Sequence, residues 1–293
     1  MRSRARNVER VKKNGSLWRG LSRHTLEFLR GFLVTLKNGR FLKLAAATFL
    51  VFNGFTLISG LGSYVIIFYV LGGNQAVGAR YVGLFGTVLS LCTFGAISVS
   101  TWLAMTIGKK HAFLLTTSIA IAGYVLKWFC YRPGHPALLM IPAPFIAFGL
   151  GGLFTSVSSM IADVCDADEL EHGFRREGTF GAIYWWMVKL GTAVALALSG
   201  HLLNMTGFLQ QLGPHQSPKT LLLMRAYEVG FPILAYALAL AAMSTYDLDR
   251  DKALEIRAEL EKRRGRPKDS TGSKIPTRRG PGQKKTVAAL AAE

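Results

Sequence analysis

The stretch TFGAIYWWMVKLGTAVALALSGHLLNM, residues 179–205, holds a single Lys, Arg, Asp or Glu, namely Lys189, within an otherwise apolar run. About twenty helical residues at 1.5 Å each cross the roughly 30 Å of bilayer hydrocarbon. Lipid offers the backbone no hydrogen-bond partners, so the run has to be helical. It is too long and too uniformly apolar for the alternating strands of a barrel. Working outward, five more runs of the same kind occupy residues 42–70, 80–107, 111–131, 138–164 and 220–245. The fold expected is an all-α membrane protein with six transmembrane helices. They form one domain, residues 41–248, between a basic segment at 1–40 and a basic tail at 249–293.

The distribution of charge sets the orientation. The chain carries 35 Lys and Arg against 17 Asp and Glu, a net charge of +18. Twenty-eight of those basic residues fall before Phe41, at Lys109 and Lys110, at Arg175 and Arg176, or from Asp249 onward. All these segments lie on one side of a six-span topology, and basic loops stay in the cytoplasm. Both termini are therefore expected to be cytoplasmic, in a multi-pass protein of the inner (plasma) membrane. No apolar signal-peptide core precedes the first span, so that helix is expected to direct insertion.

Residues 15–40 interleave Leu and Phe with basic residues, as in an amphipathic helix resting on the lipid surface or on the protein's own loops. The tail opens with DLDRDKALEIRAELEKRRGR, in which Glu259 and Arg263 are spaced to support a short helix. Beyond Pro267 its composition is that of a disordered segment. Beside a membrane such basic clusters meet anionic headgroups, and nucleic acid is not expected as a partner. Cys92, Cys130 and Cys165 show no metal or redox spacing, and the sequence lacks HExxH, GxSxG and GxxxxGK[ST]. An enzyme is not expected, nor is any cofactor or metal.

Lys189 stands about ten residues, or roughly 15 Å, into its helix. From that depth its ammonium reaches neither surface comfortably. Such residues mark solute or ion pathways, the alternative being a buried pair with an acid on another helix. The spans offer few acids. Glu228 has Arg225 three residues before it, which reads as an interfacial ion pair or an outer gate, and Lys127 reads as a snorkelling anchor beside Trp128. Small residues that allow close helix approach occur at Gly83, Gly86, Gly149, Gly151, Gly152 and Gly191.

Between the fourth and fifth spans, IADVCDADELEHGFRREGTF (161–180) brings Asp163, Asp166, Asp168, Glu169 and Glu171 close to Arg175 and Arg176. Read as a loop, it is either simply solvated or an ion-pair cluster that shuts one conformation and opens in another. The D-x-x-D-x-x-E run of Asp163, Asp166 and Glu169, the basic pair and the intramembrane Lys189 together resemble the glycoside-pentoside-hexuronide:cation symporters of the major facilitator superfamily. NGRFLKL near the start looks like that family's seventh helix and LMRAYEVGFPIL like its twelfth, so the resemblance covers about residues 30–248 and the C-terminal half only.

The resemblance implies one half of a major-facilitator fold, a 3+3 inverted repeat. It implies a half of a secondary active transporter, coupling symport of a sugar or related small solute to Na⁺ or H⁺ by alternating access. Lys189, Tyr184, Trp185, Val188 and Phe154 would border the solute, and Asp163, Asp166, Glu169 and Arg175 would form the gate. Trp185 is bulkier than the small polar residue of the better-known sugar carriers, which puts a simple disaccharide in doubt. The expected partners are the lipid bilayer, a small solute, and a second six-helix half or a second copy of the chain. A truncated non-transporting fragment and a membrane scaffold protein are the alternatives.

Overall fold

The computed structural model describes residue 35, residues 38–173 and residues 175–265. The amphipathic segment expected at 15–40, apart from its last few residues, and the tail beyond Pro267 lie outside the described residues.

Each long helix starts where the sequence supplies a cap or a turn. The Asn38 side chain accepts a hydrogen bond from the Phe41 N–H and opens α1 (Gly39–Tyr64), which runs on through a π-helical segment, Val65–Val70. Gly72 and Gly73, at φ 61° and 84°, turn the chain toward Asn74, whose side chain caps α2 (Gln75–Ile107). Gly108 separates α2 from α3 (Lys109–Cys130). A 3-10 turn at Pro136–Met140 leads into α4 (Ala143–His172), and α5 (Glu177–Met205) follows after a short link. Past a second 3-10 turn, Ser217 caps α6 (Pro218–Ser244) with proline in its first turn, and α7 (Arg250–Arg263) completes the described chain.

Six of these helical stretches, Gly39–Val70, Gln75–Ile107, Lys109–Cys130, Pro136–His172, Glu177–Met205 and Pro218–Ser244, are long and apolar enough to cross a membrane. They agree with the six spans read from the sequence, differing mainly at their ends. The packing is reciprocal between the first and last three: α1 lies on α5 and α6, while α4 lies on α2 and α3. This exchange of leading helices is what two interlocked triplets produce. Burial follows from it, since 56% of the apolar window of Pro136–His172 is buried against only 11% for Gln75–Ile107. The first is central and the second peripheral. Aromatic pairs tie the core, with Phe41 edge-on to Phe180 at 5.0 Å and Tyr124 edge-on to Tyr236 at 5.3 Å.

Glycine makes the central position of α4 possible. A Cβ on Gly151 would stand 2.9 Å from the Ala96 carbonyl carbon of α2, and one on Gly149 would stand 2.8 Å from Ala120 Cβ and Tyr236 Cε1. Gly83 and Gly86, also expected at close contacts, have no such neighbour within 4 Å. They lie on the exposed face of α2. Gly151→Leu should therefore destabilise the bundle by about 1–3 kcal/mol through overpacking against backbone that cannot yield. Thermal unfolding in detergent checks this, with Gly83→Leu as the matched control expected to leave the midpoint unchanged.

Three expectations need correction. The acidic run is not a loop: Asp163 through Glu171 lie on the last turns of α4, which ends at Gly173 in the left-handed region, φ 80°. Carboxylates there oppose the helix dipole, so arginines from outside the helix must offset them. Lys127 is not a snorkelling anchor, being only 2% exposed, and Glu228 is not interfacial, being fully buried ten residues into α6. The short helix expected early in the tail does form as α7, with Arg263 Nε 3.9 Å from Glu259, and it docks against α4.

Candidate functional site

At the end of the bundle that carries α7, the acidic last turns of α4 receive five cations from four separate segments. Arg175, in the link to α5, donates to Asp166 at 2.7 Å, to Glu169 at 3.3 Å and to Glu177 at 2.8 Å. Arg176 forks onto Asp168 through Nε at 2.8 Å and Nη2 at 2.5 Å, and the Asp168 side chain is only 1% exposed. Lys109, at the start of α3, reaches Asp163 at 2.5 Å. Arg264, just after α7, donates to both oxygens of Glu169 at 2.5 Å. Arg40, at the start of α1, bridges Glu171 at 2.8 Å and Asp247 at 3.2 Å. The four residues expected to form a gate are all in this network. Asp166, Glu169 and Arg175 meet directly, whereas Asp163 is tied to α3 instead.

The electrostatics favour the charged form of two groups at this end of the bundle, Arg175 and Asp247. The Arg175 guanidinium is pushed up chiefly by its hydrogen bond to Glu177, with Asp166 adding to it against some desolvation. Burial alone would raise the Asp247 carboxyl, but the hydrogen bond and charge of Arg40 outweigh it and hold the group below its ordinary 3.8. A carboxylate with a depressed folded pKa stabilises the fold above its unfolded pKa and loses that contribution as pH falls through the folded value. The difference in thermal midpoint between the parent chain and Asp247→Asn should thus stay constant at neutral pH and close as pH drops below 3.8.

The residues expected to border a solute divide between two faces of α5. Trp185 and Lys189, one turn apart, are both exposed, and Phe154 is exposed on α4. Tyr184 and Val188, also one turn apart, are buried at 8% and 7% exposure. The Tyr184 and Trp185 rings meet edge to face at 5.5 Å. Where α5 crosses α1, Gly191 lies against Phe49 and Asn53. Among the described residues no acidic side chain lies within ion-pair distance of Lys189. What α5 presents outward is an ammonium beside an indole, in the middle of a membrane-length helix.

A second polar feature lies inside the bundle, and sequence reasoning mispaired it. Lys127 on α3 stands 2.5 Å from Glu228 on α6, and both are buried. Arg225, the local candidate at three residues' spacing, turns away to the Tyr69 hydroxyl at 2.9 Å and to the Trp128 carbonyl oxygen, with its guanidinium 4.2 Å from the Trp128 ring. Lys109, Arg40 and Arg264 were read only as loop or tail charges. Their partners lie 54, 131 and 95 residues away, a separation at which no local spacing gives a signal.

The sequence profile described as MFS/sugar transport protein matches residues 8–250. An uncharacterized symporter of Synechocystis sp. is 26% identical over 244 residues, which is 81% of this chain and 43% of that protein. An isoprimeverose transporter of Lactiplantibacillus pentosus is 26% identical over 180 residues, 60% of this chain and 36% of the relative. A glucuronide carrier protein homolog of Escherichia coli is 25% identical over 219 residues, 72% of this chain and 47% of the relative. The chain thus spans less than half the length of these three relatives, which are named as a symporter, a transporter and a carrier. The profile match runs from ahead of α1 to the first residue of α7, taking in the six membrane-length helices, the acidic end of α4 and Lys189. With the symporter-like motif borne out in this way, the chain belongs to the MFS/sugar transport protein family.

Proposed function

We propose that this chain is one half of a secondary active transporter that carries a sugar or related small solute together with Na⁺ or H⁺ by alternating access. The observation that carries the reading is the outward-facing pair of Lys189 and Trp185 in the middle of α5. An ammonium at that depth is costly against hydrocarbon and is tolerated beside a polar cavity. A transporter cavity lies near the midplane between two pseudo-symmetric halves, so the exposed face of α5 and Phe154 would form one wall of it. The other wall would come from a second six-helix half or from a second copy of this chain. The names of the similar proteins, a symporter, an isoprimeverose transporter and a glucuronide carrier homolog, support the substrate class.

In this reading α7 and both termini face the cytoplasm of a plasma-membrane protein. The network of Asp163, Asp166, Glu169 and Arg175 is the cytoplasmic gate, closed in the outward-open state and broken when the halves rock. The assembly is tested by the mass of the purified protein in detergent and by uptake in vesicles. A dimer or a complex with a second six-helix protein that accumulates sugar against its gradient supports the proposal. A stable monomer, with no uptake under Na⁺ or proton gradients in the presence of any six-helix partner, overturns it.

A further inference from the structure

Glu228 stands at the wall of a cavity of about 290 Å³ in the heart of the bundle. The cavity reaches between α1 and α2, which touch each other little, and its outer part carries the exposed Ser59 and Ser90. Ser59 and Ser63 give their hydroxyl protons to carbonyl oxygens of their own helix, to Phe55 and Gly60, which leaves their oxygens available as acceptors. A cavity with three serines on otherwise mostly apolar walls therefore leads from the bundle surface to a fully buried carboxylate.

The carboxylate is incompletely matched. Its Oε1 lies at ion-pair distance, 2.5 Å, from the Lys127 ammonium but outside hydrogen-bond geometry, and Oε2 has no donor among the described residues. The hydroxyls of Tyr124 and Tyr131, which also line the cavity, are buried and likewise lack partners there. A pair serving only to hold two helices together is stable when every lone pair is met, and this one leaves an oxygen beside a cavity.

Lys127 has further partners besides Glu228. Its Nζ sits 4.8 Å from the centre of the Tyr131 ring and 5.8 Å from that of Phe85. Two aromatic faces can retain an ammonium when its counter-ion is neutralised. The other groups facing Glu228 are Arg225 on its own helix, held by Trp128 and Tyr69, and the phenols of Tyr124 and Tyr131. Among the described residues, α1, α2 and α4 present no titratable side chain to the cavity.

We propose that Glu228 is a reversible proton-binding site, reached through this cavity, with Lys127 as its fixed counter-charge. Water in the cavity delivers one proton to Oε2. The carboxylate becomes a neutral acid, Lys127 keeps its charge between the two rings, and the pair passes from net zero to net +1. A proton suits the site better than a metal cation, which would need several oxygens around it and would sit against an ammonium already in contact with the carboxylate. The proposal concerns the chemistry of this chain alone. Its test needs no second half, so it can fail while the transport reading stands, and the reverse.

Infrared difference spectroscopy on the purified full chain in detergent, titrated from alkaline to acidic solution, reads the site directly. The expected result is the growth, as pH falls, of the carbonyl band of a buried protonated carboxylic acid. That band should be shifted by glutamate carrying ¹³C in its side-chain carboxyl, be lost completely in Glu228→Gln, and be indifferent to Na⁺. In Lys127→Arg the band should persist with a displaced titration midpoint. Isotope labelling and Lys127→Arg keep the proposal open to test if Glu228→Gln does not fold. It is overturned if no acid band titrates, if the band survives in folded Glu228→Gln, or if Na⁺ at constant pH abolishes it.

Discussion

Lys127→Met should lower the thermal midpoint of the chain in detergent more than any surface substitution, by the equivalent of about 3–5 kcal/mol, because it strands the fully buried Glu228 without its cation. Glu228→Leu alone should cost a similar amount by stranding the ammonium, cushioned by the rings of Tyr131 and Phe85. The double substitution Lys127→Met with Glu228→Leu should recover most of the loss, since apolar groups of similar volume often replace a buried pair at little cost. A double-mutant cycle on midpoints measured at one pH gives the coupling. Strictly additive losses would show that the two side chains do not depend on each other, which would remove the basis for treating them as a unit.

Lys189→Ala should have the opposite profile. The side chain is exposed on α5 and has no acidic partner among the described residues, so its removal should leave the stability of the isolated chain within about 0.5 kcal/mol. In the proposed assembly the same substitution should abolish solute accumulation. A charged group lost from a desolvated binding cavity leaves its ligand's polar groups unpaired, at about 2–5 kcal/mol, or a thirtyfold weakening and more. Thermal unfolding of the single chain and uptake by vesicles holding the full assembly separate the two effects. Undiminished uptake by Lys189→Ala would mean that the exposed ammonium has no part in the cavity.

The sequence revealed the features that depend on long apolar runs and on local spacing. The six spans were legible because hydrocarbon thickness fixes their length, and even the short helix α7 was visible in the spacing of Glu259 and Arg263. Tyr184 and Val188 were grouped with Trp185 and Lys189 around a solute, whereas the helix buries the first two and exposes the other two. The end of α4 was less legible: a run of five acids before a basic pair looks like a loop. The helix continues to His172 because Arg175, Arg176, Lys109, Arg40 and Arg264 bring their charges to it from elsewhere.

Pairing across the fold was the least accessible part. Lys127 and Glu228 sit on helices that are far apart in sequence, and the neighbouring Arg225 offered a plausible local partner. Only the packing of α3 on α6 decides between them, because it brings Lys127 inward and carries Arg225 to Trp128. The small residues divide in the same way. Gly151 and Gly83 look alike in the sequence, yet one meets the backbone of α2 and the other meets nothing.

Glu169 has two claimants, Arg175 from the link into α5 and Arg264 from the end of α7. A carboxylate shared between two such segments makes their positions thermodynamically dependent. If the gate at Arg175 opens and closes, the grip of Arg264 must change with it, and linkage requires the influence to run equally in reverse. In the proposed transporter, anything that captures α7, whether an anionic membrane surface or another protein, would then act as an effector of the gate, and the strength of that capture would report which way the assembly faces.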